Sequence, residues 1–513
     1  MQLDTETDNS FYVTTPIYYV NDLPHIGHTY TTIAADVLAR YMREKGTKVF
    51  FLTGTDEHGQ KIQKAAEANS RTPKELTDEV VTRFRDVWKR LCITNDDFIR
   101  TTEERHVSRV QKIFKDIYDK GDIYLGEYEG WYCTPCESFW TQGQLADSKC
   151  PDCGRAPEML KEESYFFRLS KYQDFLLQYF EEHPEFIRPR SRRNELLNRI
   201  KSGLEDISVS RAAVEWGITV PMNPKHTIYV WVDALFNYIT ALGDENSDRF
   251  KSFWPANIHI IGKEILWFHG VIWPALLKSL DIELPLQVFT HGWWTIEGKK
   301  MSKSLGNAID PISITDKYGV DAFRYFMLRE VPFGLDGNFS YTALQNRVND
   351  DLGNDLGNLL YRTLSMTQKY FKGIIPKSDS VSNDNNKLSD NAALIEKQIE
   401  QNICNLQFSL SLEAIWIYIK QANKYVEDSK PWVLAKDETR KEELALTIYN
   451  LNEALRIIAI FIYPFMPDTS KKIHEQLGIL EIEEKMRRDT TWGGLAAGLK
   501  IQKGEPLFPK IED

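Results

Sequence analysis

At 513 residues the chain exceeds what one hydrophobic core usually spans, so two or more domains are expected. Its 42% hydrophobic and 27% charged residues are those of an ordinary soluble protein, and a net charge of -11 gives no support for nonspecific polyanion binding, though a local basic face stays open. The N-terminus shows no basic segment leading into an apolar stretch, and no uninterrupted apolar run of about 18 residues follows, so a cytoplasmic protein without a membrane segment is expected.

In chain order, SFYVTTPIYYV reads as a buried strand, TYTTIAADVLARYMREKG as an amphipathic helix ending at Gly46, and KVFFLTGTDEHG as a second strand running into a polar turn. Strand, helix, strand is a βαβ unit, which implies a Rossmann-type α/β parallel sheet with its ligand site at the carboxyl ends of the strands. That rule places Thr14 to His28 and Gly54 to Gly59 at one crevice. We divide the chain into a first α/β half (1–116), an insertion of short strands and polar helices (117–225), and a second α/β half (226–343). An all-α helical bundle (344–475) and a C-terminal tail (476–513) follow.

The opening helix carries HIGH at residues 25–28, and far downstream GKKMSKSLGN sets Lys299, Lys300 and Lys303 between Gly298 and Gly306. A helix N-terminus offers unpaired N–H groups and the positive end of the macrodipole, so it attracts phosphate, and His25 and His28 beside Gly27 can add donors while neutral. A glycine-bracketed loop with several ammonium groups is suited to close over a triphosphate. Alone, HIGH reads more often as a turn with capping histidines, and the lysines as a solvated basic loop. Together and in this order they resemble the class I aminoacyl-tRNA synthetases, whose signatures read HIGH and KMSKS. The resemblance implies His25, His28, Lys300 and Lys303 as catalytic groups, and Gly27 and Ser302 beside them at ATP, with Mg²⁺ on the pyrophosphate.

TTPIYYVN, TGTDEHG, YVWVDAL, GKEILWFH, VFTHGW and YPFMP bring the chain close to the methionyl-tRNA synthetase family, of the short bacterial type with one zinc knuckle. The likeness runs from residue 11 to about 510. It implies a methionine pocket of Ile17, Tyr19, Trp231, Ala234, Leu235, Tyr238, Ile265 and His269, with Asp56 binding the substrate ammonium group. Leu235 stands where other members can carry proline. A long, polarizable thioether suits aromatic walls, and Tyr19 and His269 could add hydrogen bonds toward sulfur. Gly262, Lys263 and Gly292 resemble the family's ATP-side positions.

CTPC (133–136) and CPDC (150–153) enclose the thirteen residues Glu137 to Lys149, the spacing of a zinc knuckle. Cys133, Cys136, Cys150 and Cys153 would then hold a closed, structural Zn²⁺; a redox-active pair is the alternative. Cys92 and Cys404 read as buried packing residues. The insertion is too short for the hydrolytic domain by which valine, isoleucine and leucine synthetases correct their pockets. The bundle resembles the family's anticodon-binding domain, which implies Asn354, Asn358 and Trp432 as its contacts with tRNA(Met), initiator and elongator alike. The chain ends without the pairing domain of longer relatives, so a monomer is expected. The whole reads as a methionine-tRNA ligase; the alternatives are another class I specificity and a noncatalytic tRNA-binding module.

Overall fold

The computed structural model describes residues 10–20, 23–134, 138–140, 143, 145–151, 153–212, 214–300, 309–377, 387–479 and 488–511. Strand β1 (Ser10–Tyr19), helix α1 (Ile26–Glu44), strand β2 (Lys48–Asp56) and strand β3 (Asp97–Arg100) open the chain. The central six-stranded sheet runs β3, β2, β1, Ile258–Gly262, Val288–His291, Ile187–Arg188. Every pairing in it is parallel. Such a sheet needs apolar residues on both faces, and Tyr12, Leu52 and Ile261 pack to one side while Val13, Phe51 and Ile260 pack to the other. Register breaks between Thr14 and Ile17 in β1, just before the strand reaches its carboxyl end.

Helix α1 is buried almost all round, from Thr29 to Met42, because it lies between the sheet and the bundle. One continuous core joins Val13 and Ile33 to Phe326, Phe408 and Phe461. The insertion is a separate antiparallel sheet in which Ile123–Cys133 pairs with Glu158–Phe167. One part of the insertion belongs to the central sheet instead: Ile187–Arg188, expected within the insertion, pairs with Val288 and Phe289 as that sheet's edge. Two residues are too few to show a strand's alternation in sequence.

The bundle comprises Asn358–Phe371, Lys387–Cys404, Phe408–Ser429, Lys441–Ile462 and Pro467–Gln476. Among the described residues, only the stretch Glu438–Ile462 is long and apolar enough to cross a membrane, and the bundle buries it. The expected tail at 476–513 is no loose end in its described part: Leu495 and Ile501 are buried, and Ile375 N–H donates to the Leu499 carbonyl at 2.9 Å. Arg456 donates to the Asp489 and Thr491 carbonyls at 2.7 and 2.8 Å, so residues 488–511 form a strap across the bundle. Cys404 is buried as expected, whereas Cys92, at a left-handed φ of 58° after Pro73–Arg90, is only half-buried.

Candidate active site

A cavity of about 520 Å³ opens at the carboxyl ends of β1 and β2, where the strand-end rule places a ligand. Its floor is the N-terminus of α1. His25 is the N-cap, and its Nδ1 accepts the Gly27 N–H at 3.1 Å; His28 Nδ1 accepts the His25 N–H at 3.3 Å. The two rings stack at 3.8 Å with 21° between their planes. A ring nitrogen that accepts carries no proton, so in the neutral tautomer both Nε2 atoms are the donors. Burial pushes His25 down to about 4, and burial together with the neighbouring His25 ring pushes His28 well below its ordinary value. The α1 mouth therefore presents neutral imidazole N–H groups at neutral pH.

His25, Gly27 and His28 share this cavity with Gly262 and Gly292 and with all the residues expected around methionine: Ile17, Tyr19, Asp56, Trp231, Ala234, Leu235, Tyr238, Ile265 and His269. Gly292 is required because a Cβ there would meet the Leu335 carbonyl at 2.4 Å, whereas at Gly262 a Cβ would meet only the Glu264 carboxylate, the end of an exposed side chain that can move aside. Lys263 is not part of the lining; its ammonium pairs with Asp336 at 2.6 Å. Lys300, the first residue of KMSKS, lies on the short strand Lys299–Lys300, in register with the cavity residue Thr295. Ser302 and Lys303 lie outside the described residues, as does the Lys300 side chain.

The thioether slot differs from expectation in its donors. His269 Nδ1 is 3.0 Å from the Ile265 carbonyl, which can only accept, so that nitrogen carries the proton and Nε2 receives the Tyr238 hydroxyl at 2.7 Å. Tyr19 donates to the His58 carbonyl at 2.8 Å. Both expected sulfur donors are thus engaged within the protein. Burial pushes His269 down to about 4, so no charge enters the slot from that side.

Sequence reasoning missed Thr31, Lys61, Glu264, His291 and Trp293 in the lining. Thr31 bonds His291 Nε2 at 2.7 Å, and Trp293 donates to Glu264 at 2.7 Å. The signal was present in TYTTI, GKE and THGWW, which carry polar and aromatic residues beside strand ends and helix starts.

Cys133, Cys150 and Cys153 place their sulfurs within 4.8 Å of one another, with Cys133 and Cys153 3.5 Å apart, while Cys136 lies outside the described residues. Asn354 lies within a π-helical stretch, Arg347–Gly357, and Asn358 begins the α-helix that continues it; both are exposed. Trp432, 39% exposed, stands in the turn Pro431–Leu434, and Leu434 packs near Met366 and Tyr370 of that helix.

A doubly covered parallel sheet, a histidine-capped helix at its strand ends and an appended bundle define a class I tRNA synthetase. The family of class I tRNA synthetases (M) matches residues 11–157 and 140–364. The anticodon-binding domain of methionyl tRNA ligase matches residues 375–513. The methionine-tRNA ligase of Caldanaerobacter subterraneus subsp. tengcongensis is 56% identical over 510 residues, covering 98% of this chain and 79% of the relative. That of Bacillus subtilis is 50% identical over 522 residues, covering 99% and 79%. Mycobacterium tuberculosis methionyl-tRNA synthetase in complex with methionyl-adenylate superposes with a TM-score of 0.92 at 40% identity, covering 98% of this chain and 99% of that one. The chain belongs to the methionyl-tRNA synthetase family.

Proposed function

We propose that this cavity activates L-methionine with ATP and that the chain then transfers the methionyl group to the 3′-terminal ribose of tRNA(Met), in the cytoplasm. The carrying observation is that His25 and His28 share one cavity with Tyr19, Asp56 and Trp231. In the first step a methionine carboxylate oxygen attacks the α-phosphorus and pyrophosphate leaves; in the second a ribose hydroxyl attacks the activated carbonyl and AMP leaves. Asp56 receives the methionine ammonium. The α1 mouth, with His25, Gly27 and His28, receives ATP phosphate oxygens, and Gly262 and Gly292 let the nucleotide approach the backbone. Lys300, Ser302 and Lys303 close over the phosphates, and Mg²⁺ accompanies them as counter-ion. No group needs to shuttle a proton in the first step, which matches imidazoles held neutral. Because Tyr19 and His269 spend their protons within the protein, methionine is selected by slot size, dispersion and the polarizability of sulfur. The test is amino-acid-dependent exchange of pyrophosphate into ATP across all twenty amino acids; preference for any but methionine overturns the reading.

Zinc belongs to the cysteine cluster in this reading. Thiolates about 2.3 Å from a tetrahedral ion lie about 3.8 Å apart, close to the Cys133 to Cys153 spacing of 3.5 Å. Cys133, Cys136, Cys150 and Cys153 would hold the ion, which supplies folding energy to the insertion. Chelation should lower the melting temperature and tRNA charging more than the exchange reaction. Freshly purified protein without stoichiometric zinc by elemental analysis overturns the assignment.

Asn354, Asn358 and Trp432 meet the anticodon. Replacing Trp432 with alanine should weaken tRNA binding by about 5- to 150-fold, the equivalent of about 1 to 3 kcal/mol for one stacked base, while methionine-dependent exchange keeps its rate. Filter binding and exchange, measured on the same preparation, check the division.

A further inference from the structure

Both walls of the cavity lead to one buried carboxylate. Asp233 lies within the helix Val230–Leu235, which presents Trp231, Ala234 and Leu235 to the cavity. Its Oδ2 is 2.7 Å from His58 Nδ1, and its Oδ1 is 2.7 Å from His106 Nε2. His106 Nδ1 in turn is 2.7 Å from the Thr240 hydroxyl. The His58 carbonyl receives the Tyr19 hydroxyl, and Asp56 stands two residues before His58. The opposite wall is therefore tied to Asp233 through a single residue, His58.

The helix that carries this carboxylate spans only six residues, and its N-cap makes no side-chain hydrogen bond. A segment that short does not hold its own conformation in water. A wholly buried carboxylate is costly unless every oxygen is bonded, and here two imidazoles supply those bonds. Burial would raise the Asp233 carboxyl, but His58 and His106 beside it hold it below the usual carboxylate range, so it remains an anion that both rings can grip.

We infer that Asp233, His58 and His106 are positioning residues that set the width of the amino-acid slot by clamping the Trp231 helix to the strand end bearing Asp56 and the Tyr19 hydroxyl. The inference rests on the methionine reading of the cavity. None of these side chains needs to touch the substrate. Their loss widens the slot, loosens the amino acid and leaves the nucleotide end at α1 in place.

The experiment measures KM for methionine and for ATP in pyrophosphate exchange, and methionine Kd by calorimetry without ATP, for His58→Ala, His58→Asn and Asp233→Asn. His58→Ala should raise methionine KM and Kd about tenfold, the scale of one charge-assisted hydrogen bond, with ATP KM within about twofold. His58→Asn, whose amide nitrogen stands where Nδ1 stood, should recover most of the loss, a rescue that general destabilisation would not give. Should His58→Ala fail to fold, Asp233→Asn keeps the shape, removes the charge and should show the same split in smaller measure. Unchanged methionine affinity in a folded variant, or parallel rises in both KM values, overturns the inference while the function stands. A wild-type protein that neither binds methionine nor exchanges with it overturns the function, and this inference with it.

Discussion

Replacing His28 with alanine should slow adenylate formation by about 10²- to 10³-fold, the cost of losing one preorganised donor aimed at developing charge. Methionine affinity should change little, because His28 sits at the mouth of α1, to which the proposed reading assigns the nucleotide, packed on Tyr18 at 4.8 Å and Phe84 at 5.5 Å. Those rings desolvate the imidazole and keep it neutral, and its Nδ1 is committed to the His25 backbone, so its proton stands at Nε2. A neutral donor does not neutralise the triphosphate in the ground state; its bond strengthens as negative charge grows on the α-phosphate. The rate should therefore suffer more than ATP binding. The exchange rate should also show no inflection near pH 6.5, the ordinary histidine value, since His25 gains its proton only at about 4 and burial beside His25 holds His28 well below the ordinary value as well. Single-turnover adenylation across pH, with equilibrium methionine binding, checks each part. A large loss of methionine affinity would contradict the placement of His28.

The histidine motif was legible because its geometry is local. His25 and His28 are three apart at a helix start, and the cap they form follows from spacing alone. The parallel sheet was legible for a related reason: β1 and β2 are long apolar runs separated by one amphipathic helix. What the sequence concealed depends on distant partners. Asp233 looks like one polar residue in an apolar helix until folding sets His58 and His106 against it, 175 and 127 positions away. The donors of Tyr19 and His269 appeared free for sulfur because a side chain's inventory says nothing about which carbonyl will occupy it. The strap at 488–511 read as a tail because its glycines and charges show no period, yet Gly493 and Gly494 let backbone N–H groups reach Glu453 at 2.7 and 3.0 Å.

Substituting Arg324 with methionine should cost about 3 to 5 kcal/mol of stability, the range for breaking a buried pair. Arg324 is wholly buried where the catalytic part meets the bundle, and it donates to Asp36 at 2.7 Å, to Leu91 at 3.0 Å, to Phe465 at 2.8 Å and to Pro464 at 2.9 Å. Asp36 belongs to α1 and Phe465 follows Lys441–Ile462, so one guanidinium joins the helix under the active site to the anticodon-side bundle. Burial would raise the Asp36 carboxyl, but Arg40 and Arg324 beside it and the Thr94 hydroxyl draw it from 3.8 down to about 2. A carboxyl held below its unfolded value stabilises the fold fully above the unfolded pKa, and that contribution disappears as pH falls through the folded one. Its size here is about 2.5 kcal/mol at about 1.36 kcal/mol per unit. Wild-type stability should accordingly fall between about pH 4 and pH 2, whereas the variant, with Arg40 alone facing Asp36, should start lower and fall less steeply over the same interval. Arg324→Lys, which keeps the charge but cannot reach Asp36 and the backbone carbonyls together, should lie between them. Urea unfolding of all three proteins at about pH 5 and about pH 2, on either side of that interval, decides the matter; equal losses of stability between the two pH values in wild type and Arg324→Met would show that Asp36 does not depend on this contact.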